Sequence, residues 1–322
     1  EVMQTAAPWT ALVQGEGEAA LPRVLAELRD GDESFKAGDS ISVPPCPSNN
    51  LDRLPSPWLT GDLKPDEAGG VLWEVARGCA FSCDYCFDAR GYTGVRAIKR
   101  ERLAAELEFF VQAGVTQVWV LDATFNYPPE RGIALLELLL EKAPQLHYHL
   151  EAKADFLDRH TISLLGQLNC SLQLGLQSVH EQVLKAIHRP LDLDSFCEKI
   201  HLLEAEGITY GFDLIYGLPK DNYAGFKASL DAALGFSPNH IHIFPLSVLP
   251  GTRLFQQRER YGIEAQAEPP YALLASDNWS QNELQRCHEL ATATDIFYNT
   301  GRAVAFFPAI LQALKTQPSE LL

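Results

Sequence analysis

Cys79, Cys83 and Cys86 stand within the stretch RGCAFSCDYCFDARGY (residues 77–92). Thiolates bind soft metals, and a structural zinc site takes four ligands, usually as two CxxC-type pairs. Here three residues separate the first pair and two the second, and no fourth Cys or His follows closely. A fully protein-ligated iron–sulfur cluster also takes four cysteines. Three thiolates on a [4Fe–4S] cluster leave one iron without a protein ligand and open to a small molecule. Two other readings stay open at this point: a zinc ion completed by a distant group such as Cys46, and a chance grouping.

The cysteine loop directly follows the first of six short apolar runs, VLWEVAR; the others are QVWVLD, LHYHLE, CSLQLGL, ITYGFDLIYG and HIHIFPL. Helical patterns lie between them. They cover about 98–113, start again after Pro128-Pro129, and recur near 158–168. Another opens at Ser178, where Ser178-Val-His-Glu181 spells a capping box. The next carries Phe196, Ile200 and Leu203 and stops at Gly207, and the last carries Phe226 and Leu230. This alternation predicts an α/β fold with parallel pairing through right-handed crossovers. It fits a doubly wound sheet or an open, partial (β/α)6 parallel barrel, and in both the chemistry belongs at the C-terminal strand ends.

The chain has 322 residues and a formal net charge of −16, which argues against a nucleic-acid-binding surface. The greasiest stretch, IALLELLLEKA (133–143), is interrupted by Glu137 and Glu141 and reads as an amphipathic helix, not a membrane span. No signal-peptide pattern opens the chain, and Glu1 in place of an initiator Met suggests a piece of something longer. Of seven cysteines, three are clustered and four scattered, so a reduced, cytoplasmic setting is expected instead of a disulfide scaffold.

The loop and the strand ends together resemble the radical S-adenosylmethionine (SAM) superfamily over roughly residues 70–255. Its members carry this CxxxCxxC loop, usually with an aromatic before the third cysteine, here Tyr85. The resemblance implies that Cys79, Cys83 and Cys86 ligate a [4Fe–4S] cluster whose open iron binds SAM, with Tyr85 beside the adenine. LDATFN (121–126) stands where many members have a Gly-Gly-Glu turn that binds the SAM amino group. It departs from that pattern, and Asp122 and Thr124 are the equivalents it offers. The combination especially resembles the branch containing coproporphyrinogen dehydrogenases and cobalamin-dependent members. By that resemblance Glu151 and Arg189 hold the amino-acid moiety of SAM, and Gln177 and Asp213 hold the ribose hydroxyls. A guanidinium for a carboxylate, and a carboxylate or amide for hydroxyls, is sound pairing.

Outside this core, TALVQ reads as a strand, GEGE (15–18) as a turn, and Leu21, Val24, Leu25 and Leu28 as the apolar stripe of a helix ended by Gly31. A strand–GEGE–helix followed by a Pro-rich stretch with LPSPW resembles the passage from a cobalamin-binding Rossmann-like domain into a radical SAM domain. The expected division is therefore a cobalamin-domain remnant (1–35), a linker (36–69), the barrel (70–255) and a C-terminal helical extension (256–322) cut short. PLSVLPGTRLF resembles the end of such a barrel, and the later FYNTGR the extension. Asp158-Arg-His160-Thr-Ile-Ser163 only approximates the cobalamin motif DxHxxG and is rejected. His147 and His149, and His240 and His242, read as polar lining of a barrel interior and not as a second metal site.

The function expected is a radical SAM enzyme acting on an unknown small molecule, with cobalamin-dependent methyl transfer as the leading form. It would need an electron donor such as flavodoxin or ferredoxin. A cobalamin-free, hydrogen-abstracting oxidoreductase of tetrapyrrole type is the alternative, and a non-catalytic carrier or chaperone of the cluster is the third.

Overall fold

The computed structural model describes residues 12–14, 16–29, 40–42, 51–66, 68–88 and 94–322. One parallel sheet holds β1 (Gly70–Glu74), β2 (Gln117–Leu121), β3 (His147–Ala152), β4 (Cys170–Gln177), β5 (Thr209–Tyr216) and β6 (His240–Pro245). Strand order across the sheet is the chain order. A doubly wound sheet reverses its order partway. This one never does, so each crossover runs the same way and the sheet winds as a barrel does. β1 and β6 are not paired with each other, which leaves it open.

Helix α1 (Gly17–Arg29) precedes the sheet. The crossovers are α2 (Arg100–Gln112), α3 (Pro129–Lys142), α4 (Arg159–Leu165), α5 (Glu181–Ala186) with α6 (Leu193–Ala205), and α7 (Tyr223–Gly235). Along each strand, alternate residues face these helices. Val71, Trp73, Val118, Val120, Tyr148, Leu150, Leu172, Leu174, Phe212 and Leu214 are buried against Leu107, Phe110, Leu136, Leu139, Ile200, Leu203 and Phe226. The intervening positions carry His147, His149, Glu151, Ser171, Gln173 and Asp213, so period-2 alternation separates the core from the concave face.

The periodicity was less informative at several helix ends. Ser178 does not close a capping box: α5 begins at Glu181, Ser178 Oγ accepts the His180 N–H at 3.2 Å, and Glu181 pairs with Lys185 at 2.5 Å. The reciprocal box lies instead at Ser280 and Glu283, opening α8 (Gln281–Thr294). Of the stripe expected on α1, Val24 is buried, together with Ala20, while Leu21 and Leu25 are exposed; Gly31 lies outside the described residues. Ser40–Ser42, within the stretch expected as linker, pairs in parallel with Leu12–Gln14. The extension is also not purely helical, since Glu264–Ala265 and Leu273–Ala275 form a short antiparallel pair. Asn299, in FYNTGR, donates to the Ile241 carbonyl at 2.8 Å and accepts the Ile241 N–H at 3.0 Å. It therefore satisfies backbone groups of edge strand β6 as a further strand would.

Candidate cluster and cofactor site

After β1, Ala76–Arg77 pairs antiparallel with Arg96–Ala97 and closes the neck of the cysteine loop. Gly78 sits there at φ +90°, and a Cβ on it would lie 2.7 Å from the Gly94 carbonyl oxygen, so only glycine fits. Inside the loop the Cys86 N–H donates to the Cys83 carbonyl at 3.1 Å. Asp84, fully buried, fastens the loop to the rest of the fold. Its N–H donates to Ile187 O at 3.0 Å, its carbonyl accepts from Leu254 at 2.9 Å, and its Oδ2 lies 2.8 Å from His188 Nδ1.

All three cysteines line one cavity of about 170 Å³ with Tyr85, Thr124, Glu151, Gln177, Arg189 and Asp213. These come from the ends of successive strands or the turns just beyond them. The loop after β2 is pinned to the end of β3: Phe125 N donates to Glu151 O at 3.1 Å, and Asn126 exchanges hydrogen bonds with the Lys153 backbone at 2.8 and 3.1 Å. In β4 the register slips between Gly175 and Gln177, a β-bulge, and Gln177 takes a left-handed φ of 67°. Bulges of this kind re-aim a side chain beside a site. Arg189, beyond α5, donates from Nη2 to Gly175 O at 2.6 Å and from Nη1 to Cys83 Sγ at 3.7 Å. Asp213 on β5 accepts from Gln173 Nε2 at 2.8 Å.

Electrostatics follow from this crowding. Burial pushes the Cys86 thiol up to about 12 and raises Cys79 as well, the latter opposed by the Phe81 backbone N–H. Buried thiolates therefore call for a positive partner, which a metal supplies. Burial and the neighbouring carboxylates of Asp213, Asp88 and Asp122 raise Glu151. An ammonium beside it would reverse that shift.

The site fits the groups its sequence implies. Three thiols walling one cavity match a [4Fe–4S] cluster that keeps one iron open to a small molecule. Cys46, the zinc alternative's fourth ligand, lies outside the described residues. Gln177 Oε1 is buried without a hydrogen-bond partner, an acceptor left over for a ligand hydroxyl.

Asp122 stands apart from the others. Its carboxylate is gripped by the Arg131 guanidinium and accepts the Thr124 N–H at 3.2 Å, and it borders the adjoining pocket instead. It sets the Thr124 turn, and both of its oxygens already accept from Arg131. Asp158 accepts the Thr161 N–H at 2.7 Å and caps α4. His149, His240 and His242 line a second, larger cavity on the concave face, where Trp119 stacks on His149 at 4.6 Å. Sequence reasoning missed Phe81, Asp88, Lys153 and Gln173, which also line the cofactor cavity. Strand alternation signals Gln173, two residues before Gly175; nothing in the text signals Lys153, whose ammonium lies 4.3 Å above the Phe81 ring.

Gly175 tests this packing. A Cβ there would lie 2.5 Å from Arg189 Nη2 and 2.7 Å from Gln177 Nε2, both flexible side-chain ends. Gly175→Ala is expected to keep the fold but displace both groups, raising the Kd for SAM about tenfold, or ~1.4 kcal/mol. Anaerobic equilibrium dialysis measures it, and an unchanged Kd would remove Arg189 and Gln177 from the cofactor's surroundings.

Comparison with known proteins adds an independent line. The cobalamin-dependent radical SAM methyltransferase TokK of Streptomyces tokunonensis is 28% identical over 285 residues, covering 78% of this chain and 41% of TokK. This chain thus spans about two fifths of that relative's length. Among solved structures, the cobalamin-dependent S-adenosylmethionine radical enzyme OxsB superposes with a TM-score of 0.55 at 14% identity, covering 92% of this chain and 60% of OxsB. Escherichia coli coproporphyrinogen III oxidase (HemN) gives 0.52 at 18% identity, covering 76% of this chain and 56% of HemN. Both likenesses are of fold. With the superfamily's sequence profile matching residues 73–233, half the chain and all three cysteines, the chain belongs to the radical SAM superfamily.

Proposed function

We propose that this chain is the cluster- and SAM-binding part of a cobalamin-dependent radical SAM methyltransferase. The observation that carries the reading is the single cavity walled by three cysteines and by residues from successive strand ends. The relationship to TokK supports the cobalamin-dependent form. When bound, the cluster and SAM supply one-electron chemistry able to activate an unreactive C–H bond, and a corrin supplies a transferable methyl group.

The chain's own residues bind and orient. Cys79, Cys83 and Cys86 hold three irons. Arg189 takes the SAM carboxylate in the planar, two-pronged geometry a guanidinium favours. Glu151 takes the ammonium, with the Thr124 turn beside it. Gln177 and Asp213 take the ribose hydroxyls, and Tyr85 lies against the adenine. Asp122 positions Thr124 through the bond described above.

The substrate's place is the concave cavity of about 600 Å³ that shares Glu151, Gln173 and Asp213 with the cofactor pocket. Its wall is apolar along Leu72, Trp119, Leu121 and Phe244, and carries imidazoles at His149 and His240. Burial lowers both histidines, so they are neutral at neutral pH and protonate only at lower pH than usual. Such a wall suits an uncharged, largely apolar group with a few hydrogen-bonding atoms.

Anaerobic reconstitution of the full-length protein tests the reading. Corrin absorbance, with both S-adenosylhomocysteine and 5′-deoxyadenosine among the products, is the expected result. 5′-Deoxyadenosine alone, without corrin, would shift the assignment to hydrogen abstraction, and SAM binding without cleavage to a cluster carrier.

A further inference from the structure

GEGE lies far from the cofactor cavity in sequence, yet its two acids rest against the neck of the cysteine loop. Arg77 and Arg96 are register partners on the short antiparallel pair that forms this neck. Like charges directly opposite one another repel. Carboxylates surround them. Glu16 accepts from both terminal nitrogens of Arg96, one at 3.0 Å, and lies 3.4 Å from Arg77 Nη1. Glu18 lies 2.7 Å from the same Arg77 nitrogen. Glu74, at the end of β1, accepts from Arg77 Nε at 2.7 Å and Nη2 at 3.0 Å.

The Glu16 pairs are partly buried, whereas Glu18 is 40% exposed. The Arg96 side chain is 11% exposed, and Glu16 and Arg77 are 23% and 25% exposed. The hydrogen bond from Arg96, more than the charges of Arg77 and Arg96, holds the Glu16 carboxyl below the usual carboxylate range. α1 starts at Gly17, between the two acids, so both carboxylates also lie at a helix N-terminus. Arg77 precedes Gly78 and Cys79, so whatever fixes its guanidinium fixes the start of the ligand loop.

We propose that Glu16 and Glu18 form an ionic clip that closes the neck of the cysteine loop, so that cluster retention depends on the segment preceding the barrel. The inference rests on Cys79, Cys83 and Cys86 being the cluster ligands. Glu16 and Glu18 are positioning residues: they act through Arg77 and Arg96 and touch neither cluster nor SAM. Partly buried, charge-assisted bonds between residues 80 apart in sequence hold only while the N-terminal segment is folded against the barrel.

The test uses full-length protein reconstituted anaerobically, with bathophenanthroline as iron chelator. The double variant Glu16→Gln/Glu18→Gln is expected to lose iron about tenfold faster, as the loss of charge-assisted bonds implies, and to broaden the electron paramagnetic resonance signal of the reduced cluster. Added salt should speed iron loss from the wild type, by screening the clip, and leave the double variant little changed. A merely structural role would not produce that loss of salt dependence. Wild-type iron loss, salt response and resonance in the double variant would overturn the clip. If the double variant does not fold, Glu18→Gln, which removes only the Arg77 contact, should show an intermediate rate, and a wild-type rate there overturns the clip equally. A wild-type protein that holds no cluster would instead overturn the cysteine assignment, a distinguishable outcome.

Discussion

Cys83→Ala is expected to abolish the iron–sulfur chromophore and, with it, reductive cleavage of SAM. Loss of a residue that merely supports a metal ligand typically costs ten- to a hundredfold in affinity or activity, so loss of a ligand should exceed about a hundredfold. Cys83 Sγ also lies 3.7 Å from Nη1 of Arg189, the cation proposed to bind SAM, so its removal would widen the cavity between them. Cys170→Ala and Cys287→Ala provide the contrast. Both thiols are buried in the core, away from the cavity, and their loss should lower stability while leaving iron content intact. Iron analysis, visible absorbance and 5′-deoxyadenosine release measure the difference. If Cys83→Ala retains wild-type iron and SAM cleavage, the central assignment fails.

Arg189→Met is expected to leave the cluster in place and weaken SAM by about two orders of magnitude, close to 3 kcal/mol, the usual loss when one partner of a buried charged pair is truncated. Its guanidinium is directed by the Gly175 carbonyl at 2.6 Å on one side and by Cys83 on the other, which presents its face to the cavity. Arg189→Lys should not restore binding, because an ammonium cannot make the same forked contact from the end of that stem. Separate readouts keep the result clear: iron content reports the cluster, and the Kd for SAM reports the arginine. Wild-type affinity in Arg189→Met would transfer the carboxylate to another cation, with Lys153 the nearest candidate in the same cavity.

How much of this was legible in the text depends on the length scale involved. Strand and helix alternation carried the sheet, because period-2 burial is written into runs such as CSLQLGL. The cysteine spacing pointed to one loop whose three thiols share a cavity, because such spacing is local. Thr124 and Asp122 look alike in the sequence, since both follow β2, and only the structure shows that the Asp122 carboxylate is paired with Arg131. The bulge that turns Gln177 was invisible, being a slip of backbone register that no side-chain pattern records. On α1, Leu21, Val24, Leu25 and Leu28 read as one apolar stripe because they are correctly spaced. Val24 is buried as expected, but Ala20 is buried beside it while Leu21 and Leu25 are exposed, so hydrophobicity named the helix and only part of its buried face. The partners of GEGE were equally hidden, because Arg96 lies 80 residues from Glu16.

The unclosed sheet has a mechanical consequence. Glu151, Gln177 and Asp213 belong to β3, β4 and β5, each hydrogen-bonded on both sides, whereas Leu72 and Phe244 belong to the edge strands β1 and β6. A closed ring would spread any deformation around its whole circumference. A ring with a gap concentrates it at the rim, and the centre stays stiff. Amide exchange should therefore be slowest through β3–β5 and faster toward the gap. Under the proposed assignment, a bulky substrate in the concave cavity would spread β1 from β6 without altering the spacing of the groups assigned to SAM, so tolerance of substrate size and constancy of cofactor geometry would reside in different strands of one sheet.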